Sequence, residues 1–211
     1  MELIWDAIKL GLFLAALPGP ILFTLIQTGV EEGTKAGLIL GSGIWISDVL
    51  FILFVYFGLT YAAEVVQSQS FILWTGIIGA IILIGFGLGI MITKAPFFEH
   101  GQETHRYHSY NSLWTKGFLI NTVNPFTVLF WFGVMTTFVL AQNYTEQQAF
   151  VFFGIILFMI VLTDALKVIL SKKIRKFLKP VHVEWVRRIT GALLIVFGIA
   201  LVFRVFLFPG N

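Results

Sequence analysis

Cysteine is missing from this chain of 211 residues, so disulfides, thiolate nucleophiles and zinc–sulfur centres are excluded. Charge is scarce as well. Asp, Glu, Lys and Arg make up 12% of the residues, where a soluble domain carries about 25%. That is too little polar surface to keep the folded chain dispersed in water. The opening MELIWDAIK has no basic n-region, since Glu2 and Asp6 oppose Lys9, and the apolar run is too long for a signal peptide. The strand-length alternation of polar and apolar residues that marks an outer-membrane barrel is absent. No Walker lysine or dinucleotide fingerprint follows a plausible strand, which removes phosphate cradling. All four histidines fall outside the apolar runs, so a His/Ser pair within a membrane is not available.

What remains is strongly apolar. Hydrophobic residues make up 58% of the chain, 23 of them phenylalanine, and the mean hydropathy is +0.92. Runs that can span hydrocarbon, each needing roughly 20 residues, recur along the whole length. The fold class is therefore all-α, a polytopic membrane protein of six transmembrane helices near 3–28, 38–61, 71–92, 117–140, 147–170 and 186–207. No polar connection is long enough for a separate domain, so residues 1–211 form one transmembrane domain. The connections on one side collect Lys35, Lys94, Arg106, Lys116 and the basic run from Lys167 to Arg188; the other side has only Lys9 and Arg204. By the positive-inside rule both termini lie outside and the 171–188 loop is cytoplasmic. A juxtamembrane basic patch beside anionic headgroups accounts for KKIRKFLK without nucleic acid.

The helices divide three and three, with repeats 1–92 and 113–207. Span 1 holds Pro18, Gly19 and Pro20, and span 4 opens with GFLINTVNP, which holds Asn121, Asn124 and Pro125. Asp48 in span 2 answers Asp164 in span 5, and TGIIGAIILIGFG in span 3 answers TGALLIVFG in span 6. An odd number of spans per unit turns the second unit upside down, giving the inverted repeats common among secondary transporters. Each proline removes a backbone donor. The freed groups cannot face lipid, so both breaks are expected to border protein or a wet cavity. There the opposed ends of broken helices suit the ammonium and carboxylate of a small zwitterion.

Asp48 stands at mid-depth among Trp45, Ile46, Val49 and Leu50. A carboxylate there faces the bundle interior or a cavity and suits proton or ion coupling. Asp164, nearer the cytoplasmic edge, is the second candidate, with Lys167 three residues on as its partner on the same face. Gly29, Gly33, Gly37 and Gly41 recur every four residues and read as a packing ridge, which would also suit a homodimer. His100, His105 and His108 with Glu99 and Glu103 match no closed metal spacing, and a solvated loop explains them. No metal or cofactor is expected. A cation exporter or channel is the alternative, and an intramembrane aspartyl enzyme a weaker one, since ISDVL and LTDAL lack the setting such enzymes show.

The PGP triplet, the glycine ladder, Asp48 and the NTVNP that begins the second half together resemble the LysE/RhtB family of amino-acid exporters. The likeness extends over essentially the whole chain. It implies a six-helix inner-membrane protein that moves amino acids or close derivatives outward, driven by a proton or ion gradient. Members usually follow the Asn-Pro with lysine, whereas this sequence has Phe126.

Overall fold

The computed structural model describes residues 1–16, 19–61, 69–92, 109–175 and 180–207. Among these every regular element is helical. In chain order they are α1 (Glu2–Ala16), α2 (Pro20–Glu31), α3 (Thr34–Tyr61), α4 (Gln69–Ile92), α5 (Tyr110–Thr122) and α6 (Pro125–Val134). A π-helical turn, Met135–Leu140, continues α6, and α7 (Glu146–Ile169), α8 (Ser171–Arg175) and α9 (Pro180–Leu207) follow.

The local signals are readable. Thr145 opens α7 with a capping box: its hydroxyl accepts from the Gln148 amide at 3.3 Å, and the Gln148 side chain accepts from the Thr145 amide at 2.9 Å. Gly33 takes φ +92° in the tight turn between α2 and α3, a conformation that favours glycine. Ser109 caps α5 by accepting from the Ser112 amide at 3.3 Å. That cap begins the helix seven residues before the expected start of span 4. The polar Tyr110–Lys116 reads as loop in sequence but folds as a helical turn whose Leu113 is buried.

Two described helices, Thr34–Leu59 and Glu146–Ile169, are long and apolar enough to cross a membrane. Two bent pairs are long enough when each is counted as one span: Glu2–Ala16 with Ile21–Glu31, inclined at 66°, and Tyr110–Thr122 with Pro125–Leu140, inclined at 62°. The number of candidate spans among the described residues is thus two to four.

The chain forms two compact units. The first comprises residues 1–55 and 99–179. In it α1 lies on α7, where a Cβ on Gly11 would sit 2.6 Å from the Met159 Cβ. The first half of α3 crosses α5 backbone to backbone, because a Cβ on Gly43 would overlap the Trp114 carbonyl and one on Gly117 the Leu40 carbonyl. The ladder glycines behave differently from one another: Gly29 faces Ser171, Gly37 faces Val168, Gly41 faces Trp45, and Gly33 has open space around it. A buried cluster of Leu25, Ala36, Leu40, Ile44, Leu113 and Val168 ties α2, α3, α5 and α7 together, with Ile21 and Trp45 packed against it.

The second unit comprises residues 56–98 and 180–211. Its α4 and α9 meet through small residues: a Cβ on Gly87 would lie 2.7 Å from the Gly191 carbonyl, and one on Gly198 would lie 3.1 Å from the Ala80 carbonyl. The Phe-Gly of each helix therefore meets the Gly-Ala of the other. Arg187 donates to the Ile90 carbonyl at 2.7 Å, closing the end of α4. Hydrogen bonds from Arg187, and then from Arg188, hold the Glu184 carboxyl below its usual range.

Candidate functional site

Asp48 sits on the part of α3 that belongs to the first unit, one and a half turns beyond the Gly43 crossing, and is 2% exposed. Two donors converge on its Oδ1: the Asn121 Nδ2 at 2.9 Å and the Trp131 Nε1 at 2.9 Å. Asn121 uses every polar atom it has. Its second amide hydrogen goes to the Ile44 carbonyl at 3.1 Å, and its Oδ1 accepts from the Thr127 hydroxyl at 2.8 Å. Beside it, the hydroxyls of the adjacent Ser47 and Thr122 share a hydrogen bond at 2.9 Å. The Asp48 Oδ2 takes no hydrogen bond from a described residue.

This network straddles a helix break. Asn121 belongs to the end of α5, whereas Thr127 and Trp131 belong to α6, so the carboxylate of α3 holds both arms of the bend. The break itself is closed by its own residues. Asn124 caps α6, its Oδ1 accepting from the Phe126 amide at 3.1 Å. Pro125 occupies the first turn of α6 and is buried. The Asn121 carbonyl, which Pro125 cannot reach, accepts from the Asn124 amide at 3.2 Å instead. The backbone acceptor that the sequence left open is thus used locally, and it is the Asn121 side chain that carries the connection to Asp48.

The first break is built otherwise. Pro18 lies outside the described residues. Gly19 is the N-cap of α2, extended at φ −159° with no side chain to cap the helix, and Pro20 starts the first turn. The amide end of α2 therefore has no side-chain acceptor from its own cap, and a Cβ on Gly19 would meet nothing within 4 Å. Ile21, the next residue, packs against the buried cluster of Leu25, Ala36, Leu40, Ile44, Leu113 and Val168.

Asp164 on α7 is also buried, at 3% exposure. Both of its oxygens are taken: Oδ1 by Lys167 Nζ at 2.7 Å and Oδ2 by Trp45 Nε1 at 3.2 Å. Trp45 is three residues before Asp48, so one face of α3 serves both carboxylates. His100, His105, His108, Glu99 and Glu103 lie outside the described residues.

Thr127, Trp131 and Trp45 were not evident from sequence as partners. A signal existed, since a buried indole N–H needs an acceptor and a membrane-depth carboxylate is a strong one. Six tryptophans for two such carboxylates left the pairing open.

The sequence matches the family described as LysE type translocator over residues 12–204. The chain belongs to that family. Among curated relatives of the translocator, one from Bacillus subtilis (strain 168), provisionally designated amino acid efflux protein YcgF, is 28% identical over 200 residues, covering 94% of each chain. A second from the same organism, the uncharacterized membrane protein YrhP, is 28% identical and covers 91% of this chain and 94% of its own. The leucine efflux protein of Klebsiella pneumoniae subsp. pneumoniae is 23% identical over 142 residues, covering 66% of this chain and 65% of that protein. No solved structure matches the chain significantly.

Proposed function

We propose that this translocator is a proton-coupled secondary exporter of an amino acid or similar small zwitterion across the cytoplasmic membrane. The observation that carries it is the joint between Asp48 and both arms of the α5–α6 break. One oxygen is locked by Asn121 and Trp131, and the other is open to a proton or a substrate cation. Hydrogen bonds to an ionised acceptor are roughly twice as strong as neutral ones. Protonation at Oδ2 therefore loosens the hold of Oδ1 on Asn121 and Trp131 and frees the bend to change angle. A substrate ammonium at Oδ2 draws charge from Oδ1 in the same way and competes with that proton, so the site carries one or the other at a time. The uncapped amide end of α2 suits the substrate carboxylate.

In this account the chain is a single domain of six spans, two inverted three-helix repeats, with the termini outside and the basic 171–188 loop in the cytoplasm. The reciprocal Gly-Ala and Phe-Gly contacts of α4 and α9 are those that a two-fold exchange between repeats would produce. Gly29, Gly37 and Gly41 serve packing. The names of the curated relatives favour amino-acid efflux over a cation channel or an intramembrane enzyme. The test is a flux screen of purified protein in proteoliposomes against the standard amino acids, with and without a pH gradient. Gradient-stimulated flux of at least one amino acid supports the proposal; flux of metal or alkali cations with every amino acid inert would favour the channel.

A further inference from the structure

The two membrane carboxylates are not equivalent. Asp48 has one oxygen that no described residue occupies, whereas Asp164 has none to spare. Lys167, whose side chain is 18% exposed, lies 2.7 Å from an Asp164 side chain that is 5% exposed. A pair so poorly solvated is held by its own Coulomb attraction and hydrogen bond, and removing one member leaves an uncompensated charge. Trp45 keeps the second Asp164 oxygen, and it stands one turn from Asp48 on α3.

We propose that Lys167 sets the charge class of the cargo: its ammonium fills Asp164, so a substrate meets one available carboxylate, Asp48, and the carrier takes neutral rather than dibasic amino acids. The inference rests on the exporter account above. A neutral amino acid has one ammonium and one carboxylate, matched by the Asp48 Oδ2 and the α2 amides. Lysine or arginine brings a second cation, which the tethered Lys167 has already replaced. Beside the poorly solvated Lys167–Asp164 pair that extra charge has no partner, and it is repelled by the Lys167 ammonium.

The experiment is exchange of labelled leucine and labelled lysine, loaded at equal concentration in proteoliposomes, against unlabelled amino acid with no pH gradient. The native protein is expected to favour leucine at least about tenfold. K167Q frees Asp164 and should raise the lysine-to-leucine ratio by about tenfold or more, and the double variant D164N/K167Q should return it toward the native value. Equal exchange of both by the native protein overturns the proposal, as does a folded K167Q whose ratio is unchanged. D164N gives a second route if K167Q is not recovered folded. It leaves the Lys167 ammonium alone and should admit labelled glutamate; its continued exclusion overturns the proposal. A native protein that exchanges no amino acid defeats the exporter account itself, whereas leucine exchange with an unaltered ratio defeats only the role of Lys167.

Discussion

The two helix breaks look alike in sequence and differ in construction. At the second, Asn124 caps α6, Asn121 lends its carbonyl to the Asn124 amide, and the Asn121 side chain is fixed between Asp48, Ile44 and Thr127. At the first, Gly19 offers α2 no cap and stands in open space. A closed break tied to a carboxylate transmits a change in that carboxylate to the helices on either side. An open break leaves donors for a ligand. The same local event, a proline interrupting a helix, thus supplies a hinge in one place and a binding end in the other, according to whether the preceding residue has a side chain that can cap.

That contrast can be broken in several ways. The largest effect is expected from Gly117→Leu, because the added side chain must displace the Leu40 carbonyl at the crossing that positions α5. The cost is about 3 kcal/mol or more, read as loss of monodisperse protein on size-exclusion chromatography; Gly58→Leu, where a Cβ meets nothing within 4 Å, should be recovered normally. Next comes Asn121→Leu, which frees the closed break from Asp48 and leaves the Ile44 carbonyl and Thr127 hydroxyl without their partner. A destabilisation of about 2–3 kcal/mol is expected in thermal unfolding, and the folded remainder should lose the response of its flux to a pH gradient.

A subtler variant sharpens the comparison by closing the open break. Gly19→Ser adds a cap where there is room for one, so stability should rise by about 0.3 kcal/mol. Transport should fall at the same time, because the serine occupies amides assigned to the substrate carboxylate. Stability and flux moving in the same direction would remove that assignment. The smallest effect on transport is expected from Asn124→Ala, which uncaps α6 at a cost of about 1 kcal/mol, measured by thermal unfolding, with substrate preference retained.

Much of this was legible. The all-helical character of the apolar runs, the positions of both breaks and the buried state of Asp48 follow from composition, proline chemistry and the expense of a charge in hydrocarbon. The span count does not follow, since two to four candidate spans stand among the described residues where six were expected. The start of α5 was hidden because Tyr110–Lys116 is polar, and its helix depends on the Ser109 cap and on Leu113 finding the core. Trp131 and Trp45 were hidden for another reason: hydrogen-bond pairing across α3, α6 and α7 is set by helix rotation, which periodicity does not determine when a helix is apolar on every side. The different fates of the glycines have the same origin. Spacing placed Gly33 in a ladder with Gly29 and Gly37, but the turn took it; the tightest crossing, Gly43 on Gly117, belongs to no ladder at all.

The central claim is that Asp48 converts a proton into a change at the helix break. Efflux of a transported amino acid from proteoliposomes, with the outside made acid, tests it directly in the native protein and in Asp48→Asn. Outside acid should accelerate efflux through the native protein, while Asp48→Asn, which removes the partner of both the proton and the substrate ammonium, should show weakened flux and no acceleration. If Asp48→Asn responds to the gradient as the native protein does, the account is contradicted.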